Sequence, residues 1–400
     1  MILAKSKKTM TQHSPSGETD RSRQPMFTVT SNITDVETTW RELEGRGIHS
    51  PGQSFDFVKN WVFANKIAPK DQFYLKAYLG KQTMALLPLH RTKRFGASIL
   101  TWFLGSHVAC NGALINEAAF AELSEDERLE FWQGVVRALP PADAVYLPSV
   151  PTGEGVRFET LEGMGKRPVC DKIYRARFDS WDEIDKSRRD RKRRKRDKQH
   201  RQKLDALGEV QLQRIEDKQN AKPVLAKMFE LNKRRFEVLG IENPFETQEV
   251  QDFYLKAFDA PGDAKPVIYA LMLDGEMIGA RYCVQQNGDL FMLISTMSDD
   301  EEVMPGSPGH QCLLETFKVA FDQHGVDNVD IGIGASEEKR RWCNDLQPVC
   351  NRFVPRTAVG WIFFSVQSSL EYLKRTVKHN KKLFGFYKSI RGFLPPVLRT

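Results

Sequence analysis

Two hairpin signals constrain this 400-residue chain more than any other feature. Asp274-Gly275 and Asn287-Gly288 fall between the apolar runs 267–273, 277–285 and 290–296. Asp-Gly and Asn-Gly supply the left-handed backbone that two-residue antiparallel turns require, so this spacing predicts a three-stranded meander. Around it the periodicity predicts a strand over 210–215, helices over 221–239 (ended by Gly240), 247–258 and 310–324, and a strand over 328–333.

The first half reads in a similar order. Helices are predicted over 36–44 and 54–65, a hairpin over 73–79 and 83–89, strands over 99–104, 113–115, 144–147 and 174–178, and a helix over 125–139. Both halves run helices, meander, then strand-helix-strand. The expected class is therefore α+β, with two similar domains in tandem, each a mixed and mostly antiparallel sheet flanked by helices. The expected boundaries are a disordered polar tail over 1–25, a first domain over 26–178, a basic connector over 179–208, a second domain over 209–365 and a basic amphipathic segment over 366–400.

The net charge of +7 is unevenly placed. Between Lys186 and Lys203 the chain carries a net +10, and between Gln367 and Thr400 a net +7, which leaves the remaining residues at −10. Ser180 followed by Glu183 opens a helix, and no Gly or Pro interrupts the chain before Gly208, so a single long helix is expected there. Charge on all its sides keeps its centre in water, as a solvated connector or as a platform for a polyanion, whether RNA, acidic glycan, anionic lipid or a nucleotide cofactor. The second segment, with Leu373, Phe384, Phe386 and Ile390 among Lys374 to Arg399, reads as a helix packed on the second domain or lying on an anionic membrane surface.

Cys110, Cys170, Cys283, Cys312, Cys343 and Cys350 show no metal-knuckle or redox spacing, and reduced, buried thiols are expected. No histidine pair has metal-ligand spacing, so no metal is expected. With no secretory signal and no apolar run of bilayer length, the expected location is the cytoplasm, or the inner face of the membrane through the basic segments.

The chemistry-bearing stretch runs from the third meander strand to Gly334. Pro305-Gly306-Ser307-Pro308-Gly309 leads into the helix at His310, whose N-terminus presents unpaired amides and a partial positive charge. Gly306, Ser307, Gly309, His310 and Gln311 are the candidate phosphate contacts. Asp330-Ile331-Gly332-Ile333-Gly334 places two glycines at a strand's end, where a backbone bends or a ligand comes close.

These residues carry a resemblance. From about Ser187 to Trp342 the chain resembles the GNAT-related acyltransferases of the CelD type, named for a protein associated with bacterial cellulose synthesis. The matching features are the Arg-rich helix ending in Leu204-x-x-x-Gly208, Leu273-Asp274-Gly275-Glu276-Met277-Ile278-Gly279-Ala280, Ser307-Pro308-Gly309 before a helix, Gly325, and Asp330-x-Gly-x-Gly leading to Lys339 and Trp342. Phe57 to Trp61 and Leu87-Pro88-Leu89 match more faintly. The resemblance implies paired GNAT-like domains and transfer of an acyl group from acyl-CoA to an amine, in cell-surface polysaccharide or envelope metabolism. The family's Tyr before the Lys is replaced by Glu337-Glu338.

On this reading Asp330 is the candidate base or amine anchor, Lys339 meets a phosphate or carboxylate, and Tyr282, Ser295 and Trp342 line the acceptor or acyl pocket. No nucleophile with a paired base is identifiable, so direct transfer is expected and not a covalent acyl-enzyme. The related Fem-type transferases imply an alternative donor, aminoacyl-tRNA, contacted by the +10 segment, and a third alternative is a non-catalytic module that binds a membrane or a complex.

Overall fold

The computed structural model describes residues 24–379, apart from positions 156, 157, 159, 162, 164 and 167–169. The N-terminal half contains β1 (Pro25–Thr30), α1 (Glu37–Glu44), α2 (Phe55–Ala64), β2 (Gln72–Leu79), β3 (Gln82–Arg94), β4 (Ala97–Trp102), β5 (Leu114–Ile115), α3 (Glu117–Ala121), α4 (Glu125–Ala138), β6 (Ala144–Pro151) and β7 (Cys170–Arg177). Two helices follow, α5 (Trp181–Arg188) and α6 (Arg191–Asp205). The C-terminal half then repeats the order with β8 (Val210–Ile215), α7 (Lys218–Leu239), α8 (Gln248–Lys256), β9 (Lys265–Leu273), β10 (Glu276–Gln286), β11 (Asp289–Met297), α9 (Pro308–Gln323), β12 (Asn328–Ile333), α10 (Glu337–Trp342), β13 (Asp345–Pro355) and α11 (Ala358–His379).

The meander forms where the two turns place it, as β9, β10 and β11. The halves do not keep separate sheets, however. One sheet runs β1-β2-β3-β4-β6-β13-β7-β12-β11-β10-β9-β8, with β5 paired to β3. The joint is an exchange of strands. β7, which ends the N-terminal half, pairs with β12, whereas β13, near the end of the C-terminal half, pairs with β6.

Where β7 and β13 meet, Cys170 lies directly opposite Cys350, and the two form a disulfide. This corrects the expectation of six reduced thiols, because only the strand exchange brings together residues 180 positions apart. Cys110, Cys283, Cys312 and Cys343 are free and buried.

Alternating residues of the sheet feed different layers. On one face α1 and α2 meet α7 and α8 in a core shared by both halves, where the Phe253 ring lies 4.8 Å from Phe57 and 5.0 Å from Trp61. The buried rings Phe57 and Phe253 each contribute roughly 2–3 kcal/mol from apolar burial. On the other face α4 covers the N-terminal half through Phe131, Trp132 and Val135, and α9 covers the C-terminal half through Leu313, Phe317 and Ala320.

The basic connector is two helices and not one. The chain turns at Arg189 (φ −130°, ψ 108°), and Asp190 starts α6 by accepting the Arg193 amide at 2.7 Å. Nor is the centre of α6 solvated all round. Asp197 is 2% exposed and accepts from both Nε and Nη2 of Arg189, while Leu204 is fully buried. A carboxylate inside the run neutralises enough charge for one side of the helix to be buried.

Of the tail expected over 1–25, residues 1–23 lie outside the described residues, and Pro25 opens β1. The C-terminal segment begins as α11, whose Glu371 accepts from Tyr146 Oη and Asn351 Nδ2, both at 2.9 Å. Val359, Trp361, Ile362, Val366, Tyr372 and Leu373 on this helix are exposed, and positions 380–400 lie outside the described residues. Among the described residues no helix is long and apolar enough to cross a membrane.

Candidate active site

β11 and β12 run parallel but pair only at Asp289↔Asn328, Leu290↔Val329 and Phe291↔Asp330. Beyond that point they part. The cause is local: Oδ1 of Asp330 accepts the Gly332 amide at 2.7 Å, and Gly332 adopts φ 84°, a conformation that glycine takes at little cost. Pairing of β12 with β7 is also interrupted between Asp330 and Ile333. Lys339 then holds the strand's end by donating from Nζ to the Ile333 carbonyl at 2.7 Å.

The gap opens on a cavity of about 810 Å³, lined on this side by Met292, Leu293, Ile331, Gly332, Ile333 and Lys339. The N-terminal half contributes the opposite wall. There β4 and β6 pair in parallel only at Ile99↔Ala144 and Leu100↔Val145, then separate, and His90, Thr101, His107, Tyr146 and Ser149 line the same cavity. Two partings of strands thus face one space.

His107 reaches that wall because Leu104 (φ 69°) and Gly105 (φ 52°) turn the chain through two successive left-handed residues after β4. Its Nδ1 lies 3.0 Å from the Tyr254 hydroxyl, and its ring lies 4.8 Å from the Trp61 ring. Burial pulls its pKa down to about 4, and does the same to His90, which stacks 5.1 Å from Phe103. Both imidazoles are neutral at pH 7.

Asp330 sits beneath the parting and is 2% exposed. Its Oδ2 accepts from Arg175 Nε at 3.2 Å, and Arg175 Nη2 donates to the His49 carbonyl at 3.1 Å, so one guanidinium ties the bend in β12 to the N-terminal half. Burial raises the Asp330 carboxyl above its ordinary value, and the Arg175 charge opposes that rise. The geometry makes Asp330 a residue that shapes the gap. The other two carboxyl-side expectations differ: Lys339 does line the cavity, whereas the residues expected to wall the acceptor or acyl pocket do not.

Tyr282 lies in the shared core, donating to the Tyr254 carbonyl at 3.1 Å. Trp342 is buried on the far face with its ring 5.5 Å from Phe317, and Ser295 is exposed, accepting from Arg281 Nη1 at 2.8 Å. Which face of a strand points to the gap depends on the bends in β10 and β12, which the residue pattern does not reveal.

The start of α9 differs most from expectation. Gly306 donates to Val303, Ser307 to Met304, and His310 and Gln311 both donate to the Ser307 carbonyl, so four of the five candidate amides are spent within the turn. The α6 helix also covers this corner: a side chain at Gly306 would meet Leu204 Cδ2 at 2.3 Å, and Gln311 Nε2 donates to the Asp197 carbonyl at 3.1 Å. Gly309 uses its carbonyl, which accepts from Arg281 Nη2 at 2.9 Å. No row of amides is left there for a diphosphate.

His310 fills the corner instead. Its Nε2 lies 3.1 Å from Asp197 Oδ1 and its Nδ1 3.5 Å from Glu338 Oε1. Burial alone would lower its pKa, but the Asp197 and Glu338 carboxylates overcome that and hold it up at about 9. The imidazolium is a structural cation between two acids.

Two site residues escaped the sequence reading. Arg175 looks like any polar residue of a strand leading out of a domain. His107 follows a Gly-Ser pair with no periodic signal.

FemX shares the fold at 13% identity and a TM-score of 0.50, over 73% of this chain and 90% of its own. L-PGS from Bacillus licheniformis aligns at 11% identity and a TM-score of 0.44, over 78% of this chain and 95% of its own. A tandem GNAT protein from the clavulanic acid biosynthesis pathway aligns at 11% and 0.43, over 83% and 98%. No curated protein matches the chain. Residues 191–340, from α6 through most of α10, match the family model described as an acetyltransferase (GNAT) domain.

Proposed function

We propose that the protein is an N-acyltransferase that moves an acyl group from acyl-CoA to an amine in the cavity between the two halves. The parting of β11 from β12 carries this reading, because it bares strand edges along which an amide-bearing donor arm can pair beside an enclosed space. A thioester is already activated, so positioning and one proton transfer supply most of the acceleration. The amine nitrogen attacks the thioester carbonyl, the C–S bond breaks, and the nitrogen gives up a proton.

His107 is the residue proposed to take that proton. This role requires the tautomer in which Nδ1–H donates to the Tyr254 hydroxyl, 3.0 Å away, which leaves Nε2 as the acceptor on a ring whose orientation is fixed. Asp330 and Arg175 act by positioning Gly332, and Lys339 by holding Ile333 and offering a cation to the donor or acceptor. The CelD-type resemblance supports an acceptor amine from cell-surface polysaccharide or envelope metabolism.

Equilibrium dialysis with labelled acetyl-CoA and a long-chain acyl-CoA tests the donor, and saturable binding of at least one is expected. A flat titration with both overturns the reading. In transfer assays His107→Gln should lower kcat by about 10²–10⁴ with the donor KM nearly unchanged. The +10 of segment 186–203 supports a second reading, aminoacyl-tRNA as donor. That reading requires RNA affinity falling by roughly 0.7–0.9 log units per log unit of salt for each phosphate contacted.

A further inference from the structure

A second cavity, of about 510 Å³, is walled by Arg188 at the end of α5, Lys192, Arg193, Lys195 and Arg196 on α6, and Arg341 on α10. Lys339 lines the reaction cavity and Arg341 lines this one. At 3.6 residues per turn, side chains two apart point in nearly opposite directions, so α10 borders both spaces.

Asp190 is the one acid on the wall, and its carboxylate caps the Arg193 amide at 2.7 Å. Arg193 lies 3.7 Å from Asp197. Among the described residues no carboxylate lies within ion-pair distance of Lys192, Lys195, Arg196 or Arg341. The Nε atoms of Arg188 and Arg193 are buried and donate no hydrogen bond. Cations gathered on a concave wall repel one another, and an anion with several oxygens is what relieves the repulsion.

We infer that this cavity receives the phosphate groups at the nucleotide end of the acyl donor, the adenosine 3′,5′-bisphosphate portion of a coenzyme A thioester. The inference rests on the acyl-CoA reading above. Two observations favour a small nucleotide over an extended RNA backbone. The charge lines an open concavity of a size within the roughly 300–1,000 Å³ range of small-ligand sites. Four of the five candidate amides at the start of α9 are spent, so most phosphate contacts of a donor whose acyl end enters the neighbouring cavity fall to side chains.

Calorimetric titration of the full-length chain with adenosine 3′,5′-bisphosphate, inorganic phosphate and a uridine oligonucleotide tests this. Saturable binding of the bisphosphate is expected, weakened at least about tenfold in the Lys192→Gln, Arg341→Gln double variant, with each charge-assisted contact contributing to the loss. The control pair Lys70→Gln, Lys81→Gln removes the same charge from exposed positions and should leave affinity unchanged. Melting curves check that both variants fold, and Lys195→Gln alone serves if the first double variant does not.

Equal weakening by both pairs, binding of the oligonucleotide without the bisphosphate, or binding of neither overturns the inference. Bisphosphate binding that is lost in the double variant, in a protein that transfers no acyl group, would uphold this site while defeating the proposed reaction.

Discussion

The two halves make the same bend in different ways. Each has a left-handed residue near the end of the strand that separates from the meander: Ser149 (φ 55°) on β6 and Gly332 (φ 84°) on β12. In the N-terminal half the bend is held by the neighbouring strand, since the Ser149 amide donates to Asn351 Oδ1 at 2.9 Å, and Tyr146 beside it is tied to α11 through Glu371. In the C-terminal half Asp330 on the bent strand itself holds it, buried against Arg175. The helix starts differ too. α4 is closed by the reciprocal cap of Ser124 and Glu127, which puts a carboxylate where an anion would have to sit, while α9 is closed by the Ser307 carbonyl and His310. Shared topology therefore creates two openings, and local side chains decide what each can hold.

This contrast can be broken most forcefully at the ion pair. Arg175→Ala leaves the Asp330 carboxylate buried without its partner and should cost about 3–5 kcal/mol, whereas Asn351→Ala removes one hydrogen bond from the N-terminal bend and should cost about 1 kcal/mol. Urea midpoints of the two variants measure the difference, and equal losses would mean that the halves are held alike. At the bends themselves, Gly332→Ala forces a side chain into left-handed backbone and should cost about 1–2 kcal/mol, while Ser149→Gly relieves such strain and should be neutral or slightly stabilising. Thermal melts with acyl-CoA present and absent would show whether donor binding falls only in the first.

A further difference between the two helix starts is a pH dependence at His310. The pKa of His310 is raised from 6.5 to about 9 in the folded chain, so its contribution to stability is fully present below pH 6.5 and is lost as pH rises through about 9. Urea midpoints at pH 6, 8 and 10 should show this decline in the wild type and lack it in His310→Gln. The α4 start has no histidine and should add nothing to the slope.

Turn chemistry made the meander readable, since Asp-Gly and Asn-Gly permit few alternatives, and Thr247 and Gly240 mark helix ends that the chain uses. The strand β13 was hidden by Pro348 and by alternation broken at Arg352, which is a buried cation. The disulfide and the single sheet were hidden for a related reason, because strand exchange is a property of pairings between residues far apart. Within the site, Asp330 was recognisable from its place before two glycines, but its work on Gly332 depends on Arg175, which lies 155 positions earlier. Phosphate cradling at Gly309 looked plausible from local sequence alone, and α6 folding back over that corner removed it.

The exchanged central strands set a timetable for synthesis. A ribosome releases β6 long before β13, so the edge of the N-terminal half stays bare until residue 355 has emerged. Bare edges invite wrong partners, and pairing across such separations is slow. Cys170 must wait equally long for Cys350, so the covalent link closes only after a further 180 residues have been made.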